Sequence, residues 1–108
     1  MIGRLLRRVL LGCAVPLLVG AGPMSPRRHR VDIREMEFRP RTIVAAVGDT
    51  VSWVNDDIVP HTVTFGDGTG DRDEVMPGGR FALVVIERHA LRYRCRYHPG
   101  MTGTVVGQ

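Results

Sequence analysis

The sequence predicts an all-β protein, a Greek-key sandwich or barrel of roughly six to eight strands. From Val31 onward, short runs of alternating apolar residues are separated by Gly, Pro, Asn and Asp. No stretch keeps a helical period over about ten residues. The 108 residues leave room for one small domain, whose modest core a bound metal would help to stabilise.

Three apolar runs predict the strands in the first half of this domain. In Val31–Phe38 the apolar residues shift from odd to even positions across Arg34–Glu35, which would move them to the other face of a regular strand. This shift indicates a bulge in the first strand. The next run, Ile43–Val47, ends at Gly48–Asp49. The third, Val51–Asn55, places its first and third residues on one face and ends in a turn at Asn55–Asp57.

The second half predicts further strands around one long loop. His61–Phe65 places alternate residues on one face, and the Gly-rich segment Gly66–Gly79 is predicted to be a solvated loop with solubilising acids. Phe81–Ile86 is apolar throughout, which favours a strand buried on both faces. In Leu91–Arg96 the apolar positions face inward and the arginines outward, and Val105–Val106 belongs to a closing strand.

The N-terminus has the pattern of an export signal. Met1–Arg8 is basic, Val9–Val19 is apolar, and Val19–Ala21 offers small residues for cleavage. We expect a cleaved signal peptide at residues 1–21, a disordered leader at residues 22–30 and one domain at residues 31–108. A periplasmic or otherwise extracytoplasmic location follows, with no stable membrane insertion after cleavage.

Alternatives to a cleaved signal of the general type remain open. The apolar run is shorter than the ~20 residues that a spanning helix needs, but an uncleaved anchor is the alternative to cleavage. Arg7–Leu11 resembles part of a twin-arginine export signal, and Leu10–Cys13 resembles a lipoprotein cleavage box. Each alternative still exports the domain.

The distribution of charge argues against nucleic acid as a partner. All 15 basic residues are Arg, and the pI of the whole chain is about 10. Removal of residues 1–21 leaves 12 Arg against 11 acids, a net charge of +1. A protein that binds nucleic acid through many phosphate contacts needs a larger excess of positive charge.

The expected mature chain holds one cysteine, Cys95, because Cys13 lies in the signal. A single cysteine cannot form an internal disulfide, so Cys95 is an inert buried thiol, an intermolecular partner, a nucleophile or a metal ligand. An oxidising compartment favours a thiol that is buried or coordinated. Metal ligation therefore becomes a leading interpretation.

The segment Tyr93–Gly103 carries the candidate site. It spaces Cys95, His98 and Met101 three residues apart between two strands, where a tight loop can direct all three at one centre. His61 begins another strand, on the same inward-pointing face as Val63 and Phe65, and could complete the set of ligands. Two imidazoles and a thiolate with a weak axial Met suit copper that transfers electrons, whereas zinc gains little from Met.

Each of these residues alone has an ordinary structural explanation. Cys95 and Met101 could be core residues, His61 a turn histidine and His98 a surface residue. Only their combination with an export signal favours a copper site. The two other histidines, His29 and His89, lack matching partners and are predicted to be exposed.

The region from Val31 to Val106 resembles a small cupredoxin of the amicyanin and plastocyanin group. The matching segments are Met36–Pro40, Gly48–Asn55, Pro60–Val63 and Cys95–Gly103. The resemblance implies the cupredoxin fold and a single copper ion in a type 1 site. It also implies a ligand set of three strong ligands and one axial ligand: His61, Cys95 and His98, with Met101 axial.

Among the positions that depart from the family pattern, two directly follow a predicted ligand. Members often carry Asn after the first ligand His, where it ties the two ligand loops together; here Thr62 stands in its place and could hydrogen-bond across the loops. The residue after the Cys is often Thr in amicyanin-like chains and is Arg96 here. These departures bear on the reduction potential and the choice of partner, because none removes a ligand.

The resemblance implies a monomeric one-electron carrier that cycles between Cu(II) and Cu(I). Redox partner proteins, both donor and acceptor, would dock on an apolar patch around His98, framed by Pro60, Pro99 and Met101. The alternative is a periplasmic copper-binding or carrier protein for copper homeostasis. An enzyme is not expected, because further copper sites would need additional His clusters.

The outward arginines of the predicted Cys95 strand would form a basic stripe near this patch. They are Arg92, Arg94 and Arg96. Charge complementarity then predicts an acidic surface on the redox partner. The alternative is an ordinary solvated strand face.

Overall fold

The predicted all-β sandwich is confirmed in the computed structural model, which describes Gly12, residues 25–66 and residues 73–108. The described strands are β1 (Arg28–Arg34), β2 (Glu37–Arg39), β3 (Thr42–Ala45), β4 (Thr50–Asn55), β5 (His61–Thr62), β6 (Thr64–Phe65), β7 (Glu74–Val75), β8 (Arg80–Val84), β9 (Ala90–Arg94) and β10 (Thr102–Gly107). These ten exceed the expected number because two predicted strands are each divided and one short strand lies in the predicted loop.

Two four-stranded sheets form the layers of the sandwich. The strand order is β2-β1-β4-β8 in one sheet and β3-β10-β9-β6 in the other. The chain crosses between the layers, so that β1 pairs in parallel with β4, and β3 with β10. A third, two-stranded sheet pairs β5 with β7 and lies next to the candidate site, because β5 begins at His61.

The core lies between the sheets and centres on Trp53, which is fully buried. Its ring packs against Phe65, Phe81 and Tyr93, with ring centroids 6.0, 5.6 and 5.3 Å away. Burial raises the pKa of the Tyr93 hydroxyl to about 12. This aromatic cluster supports the strand that leads into Cys95, because Tyr93 lies two residues before it.

The predicted leader at residues 22–30 was wrong for its last residues. Strand β1 begins at Arg28, and residues 28–30 pair with residues 50–52 of β4. This pairing satisfies backbone groups that the composition alone suggested were solvated. Of the predicted signal at residues 1–21, all but Gly12 lies outside the described residues, and no helix that could span a membrane is found in the part described.

The predicted bulge in the first strand was also wrong. A tight turn at Glu35 and Met36 separates β1 from β2, and both residues have positive φ, 53° and 62°. Such a turn matches the twist of a hairpin and places Ile33 opposite Phe38, so the parity change reflects a reversal of direction. The Asp57 carboxylate accepts hydrogen bonds from both turn amides, at 2.7 and 3.0 Å, which offsets the unfavourable backbone conformation.

Two further expectations are corrected around the long loop. Phe81–Ile86 is not buried on both faces: β8 is an edge strand of its sheet, and Val84 and Ile86 are 52% and 75% exposed. Within Gly66–Gly79, β7 pairs with β5, and Asp73 is buried rather than solubilising. The predicted His61–Phe65 strand divides at Val63 because its halves pair with different strands.

Asp49 holds the N-terminal strand against the rest of the fold. Its carboxylate accepts hydrogen bonds from the backbone N–H groups of Arg27 and Ala46, and it contacts His29 Nε2 at 2.8 Å. The expectation that His29 is exposed was therefore wrong, whereas His89 is exposed as predicted. The hydrogen bond from Arg27, followed by that of His29, lowers the pKa of Asp49 to about 2.

We expect Asp49→Asn to destabilise the protein at neutral pH, and this difference to shrink in acid. A carboxylate with a lowered pKa stabilises the fold above its unfolded pKa of about 4, and this contribution is lost as the pH falls towards about 2. Thermal unfolding of both proteins between pH 7 and pH 2 measures the effect. Glu87→Gln is the control, because Glu87 pairs with His89 at the exposed surface. A stability difference that stays constant with pH would contradict this role.

We expect Gly103→Ala to destabilise the protein by about 1–3 kcal/mol, the usual cost of overpacking a core. A Cβ at this position would lie 2.3 Å from both Cζ and the hydroxyl oxygen of Tyr93, so the side chain must move within the aromatic cluster. Urea unfolding measures the change in the free energy of unfolding. Thr104→Ala, on the same strand, is the control. An unchanged midpoint in Gly103→Ala would show that the core accommodates the methyl group.

Candidate metal centre

Three of the predicted ligands converge at one end of the sandwich. His61 is the first residue of β5 and is fully buried, and Cys95 follows β9 directly and is 4% exposed. His98 lies in the loop between β9 and β10 and is half-buried. Their side-chain donor atoms all lie within 4.8 Å of one another.

The spacing of these donors fits a metal ion between them. Cys95 Sγ lies 3.8 Å from His61 Nδ1 and 3.4 Å from His98 Nδ1. Metal–sulfur bonds of about 2.3 Å and metal–nitrogen bonds of about 2.0 Å that meet at a trigonal angle separate the donors by about 3.7 Å. One thiolate and two imidazoles form the donor set of a type 1 copper site, so the cluster fits copper.

Met101 closes the loop that carries Cys95 and His98. The Cys95 N–H donates to the Met101 carbonyl at 3.0 Å, and the Met101 N–H donates to the His98 carbonyl at 3.2 Å. Gly100 supplies the positive φ of 85° that this tight return requires. Met101 itself is 5% exposed, so it does not frame the surface around His98. Its role as the axial ligand, like the role of the other three as ligands, stays a prediction.

Thr62 ties the two ligand-bearing segments together. Its hydroxyl accepts a hydrogen bond from the Arg96 N–H at 2.8 Å, and its own N–H donates to Cys95 Sγ at 3.4 Å. The structure therefore shows the cross-loop hydrogen bond expected at the position where relatives often have Asn. The contact with the sulfur is buried and the one with Arg96 is partly buried, and together they hold Cys95 close to the start of β5.

A buried acid that the sequence did not single out supports the same segments. Asp73 forms an ion pair with Arg96 at 2.7 Å and accepts a hydrogen bond from Thr64. Burial opposes its charge, but the hydrogen bonds from Arg96 and Thr64 outweigh this effect and lower its pKa. The predicted basic stripe is therefore reduced near the site, because the charge of Arg96 is offset by Asp73. The Gly-rich surroundings of Asp73 concealed this role.

Asp57 supports the other side of the cluster. Its Oδ2 lies 2.8 Å from His61 Nε2, on the far side of the imidazole from Cys95. Burial disfavours its charge, yet hydrogen bonds from Met36, His61 and Glu35 lower its pKa overall. Sequence reasoning interpreted this residue only as part of a turn, although its spacing four residues before His61 was the available signal.

Sequence comparison places the chain among copper proteins. Residues 27–108 match the profile of the copper-binding proteins of the plastocyanin/azurin family. Amicyanin from Paracoccus denitrificans is 32% identical over 81 residues, which cover 70% of this chain and 62% of that protein. Amicyanin from Paracoccus versutus is also 32% identical over 81 residues, 70% of this chain and 61% of its own length. The match thus spans about three fifths of these relatives.

Solved structures share the same fold. A reduced amicyanin mutant superposes with a TM-score of 0.69 at 30% identity, covering 75% of this chain and 82% of that one. A purple cupredoxin from Nitrosopumilus maritimus superposes with a TM-score of 0.65 at 28% identity, covering 74% of this chain and 99% of that one. The predicted resemblance to small cupredoxins is confirmed.

We expect Thr62→Val to destabilise the protein by about 1–3 kcal/mol, because the partly buried Arg96 N–H loses its acceptor and the buried Thr64 hydroxyl loses its partner. Thr62→Ser is the matched variant, since it keeps the hydroxyl and removes only a methyl group. Chemical unfolding of the metal-free proteins separates the two cases. Equal destabilisation by Val and Ser would assign the role of Thr62 to packing instead of to the cross-loop hydrogen bond.

Proposed function

This chain belongs to the plastocyanin/azurin family of copper-binding proteins, and on that premise we propose that it is an exported one-electron carrier. The observation that carries the proposal is the convergence of His61, Cys95 and His98 with the donor spacing of a type 1 copper site. Copper supplies the redox change between Cu(II) and Cu(I). The protein supplies the fixed ligands.

The proposed ligands are His61, Cys95 and His98, with Met101 in the axial position. Cys95 and Met101 supply soft sulfur donors, which favour Cu(I), and the imidazoles suit Cu(II). Electron transfer is fastest when the ligands keep one geometry in both states. The backbone hydrogen bonds that link Cys95, His98 and Met101 favour such a rigid loop.

Contacts around the cluster support a preorganised site. Thr62 holds Cys95 Sγ through its N–H, and Asp57 contacts the outer nitrogen of His61. Asp73 anchors Arg96, the residue after the cysteine. Contacts of this kind orient ligand side chains and restrict their movement.

Redox partner proteins are proposed to dock around His98, which is the half-buried member of the cluster. Pro60 is half-buried and Pro99 is exposed, whereas Ile58 and Tyr97, on the two ligand-bearing loops, are 94% and 43% exposed. Electron-transfer encounters are small and transient, so an apolar patch of this kind is sufficient for docking. The carrier itself is proposed to be a monomer.

The charge near this patch favours a partner with an acidic surface. Arg92 and Arg94 are exposed on β9, and within the described residues no carboxylate lies at salt-bridge distance from either. Charges at the rim of an interface mainly steer the encounter. Arg96 contributes less than predicted, since Asp73 pairs with it.

Export is proposed from the sequence of residues 1–21, with their basic start, apolar run and small-residue cleavage site. The domain would then work in the periplasm or another extracytoplasmic space. We place the start of the folded domain at about residue 27, where the family match and the hydrogen bonds of β1 begin. The chain is proposed to be a carrier and not an enzyme, on the strength of its match to the plastocyanin/azurin family.

We expect the purified protein to bind one Cu(II) and to turn intensely blue, with a narrow copper hyperfine splitting in its electron paramagnetic resonance spectrum. Thiolate-to-copper charge transfer from Cys95 is the physical cause, so Cys95→Ser is expected to remove the blue band while the protein stays folded by circular dichroism. A colourless or pale wild-type complex would contradict the type 1 site. Copper loss to a chelator faster than electron exchange would favour a copper carrier instead.

A further inference from the structure

The Asp57 side chain joins two parts of the molecule that are distant in sequence. Its Oδ1 accepts the Glu35 N–H at 2.7 Å, and its Oδ2 accepts the Met36 N–H at 3.0 Å. The same Oδ2 lies 2.8 Å from His61 Nε2. One carboxylate therefore connects the β1–β2 turn to His61, the buried histidine of the candidate metal centre.

These contacts fix the orientation of the carboxylate. The two successive turn residues have positive φ, and their N–H groups each reach one oxygen of the Asp57 carboxylate. The Asp57 side chain is 14% exposed, and it receives three donors on two oxygens. It therefore has little freedom to turn away from His61.

The position of the carboxylate determines which nitrogen of His61 is free. A neutral imidazole has one N–H donor and one acceptor nitrogen, and an ionised carboxylate can only accept. The proton of His61 therefore belongs on Nε2, facing Asp57. This leaves the lone pair on Nδ1, which faces Cys95 Sγ at 3.8 Å.

We propose that Asp57 is a positioning residue that fixes the ring and the tautomer of His61 for metal binding, and that its charge favours Cu(II) over Cu(I). The second part rests on the proposed function. A carboxylate that accepts the outer N–H of a ligating histidine raises the basicity of the ligand nitrogen. More electron donation and a nearby negative charge both stabilise the higher oxidation state, so Asp57 lowers the reduction potential.

Asp49 offers a matched control within the same chain. Its Oδ1 accepts the Arg27 N–H, and its Oδ2 contacts both the Ala46 N–H and His29 Nε2. The pattern is that of Asp57, with two backbone amides and one histidine, but His29 does not belong to the metal cluster. The two acids flank opposite ends of β4, whose six residues span about 20 Å.

The first test needs no metal. Nitrogen-15 NMR of the metal-free wild-type protein is expected to show His61 with its proton on Nε2 and an unprotonated Nδ1. In Asp57→Asn, whose amide group can itself donate, we expect a mixture of the two tautomers. A wild-type protein with its His61 proton on Nδ1 would overturn the proposal, whether or not the variant folds.

The second test compares the metal-loaded variants. Asp57→Asn is expected to bind Cu(II) about 10- to 100-fold more weakly than wild type and to show a higher reduction potential. Asp49→Asn is expected to lose stability but to keep the wild-type affinity and potential. Equal changes in both variants, or no change in Asp57→Asn, would overturn the role of Asp57.

The two tests also separate this inference from the proposed function. If the wild-type protein bound no copper, the carrier would be refuted, while the tautomer of His61 in the metal-free protein would still decide the positioning role. If the protein turned blue but Asp57→Asn kept its affinity, potential and His61 tautomer, the carrier would stand and the inference would fail.

Discussion

The candidate metal centre depends on the contact between Thr62 and the segment that begins at Cys95. The threonine hydroxyl accepts the Arg96 N–H, and the threonine N–H donates to the cysteine sulfur. Together these bonds join the start of β5 to the end of β9. The link therefore joins the strand that carries the fully buried His61 to the loop that carries the half-buried His98. Because Thr62 and the Cys95 sulfur are buried, losing either of them leaves the other without its hydrogen-bond partner.

Buried and half-buried aspartates organise the regions that the small core leaves open. Asp49 holds the start of β1, Asp57 holds the β1–β2 turn and His61, and Asp73 holds Arg96 and Thr64. A small domain buries a limited fraction of its apolar surface, so hydrogen-bonded carboxylates at strand ends add order that packing cannot supply. Two of these acids, Asp57 and Asp73, also surround the metal cluster. The same chemistry therefore serves both the stability of the fold and the geometry of the site.

Sequence reasoning was reliable where one local pattern decides the outcome. The spacing of Cys95, His98 and Met101 requires a tight loop, and the alternation in Leu91–Arg96 orients the strand before it. Sequence reasoning failed where a residue's hydrogen-bond partner lies in a distant part of the sequence. The parity change in Val31–Phe38 is compatible with a bulge or a hairpin, and the acceptor that favours the hairpin, Asp57, lies 21 residues beyond Met36. Likewise, nothing local in a Gly-rich loop reveals that Asp73 meets Arg96.

The sequence by itself determined the all-β class, the family resemblance and the side chains that form the cluster. The class follows from periodicity and turn residues, the candidate side chains from donor chemistry and spacing, and the resemblance from matching segments such as Cys95–Gly103, all of which are properties of short segments. Only the tertiary structure decided how Phe81–Ile86 is covered, where the first strand begins and which acids support the ligands. The physical reason is that burial and hydrogen bonding each depend on two parts of the chain that the fold brings together. A run of apolar residues does not reveal whether a second sheet covers it, and a carboxylate does not reveal which amide or imidazole the fold will bring to it.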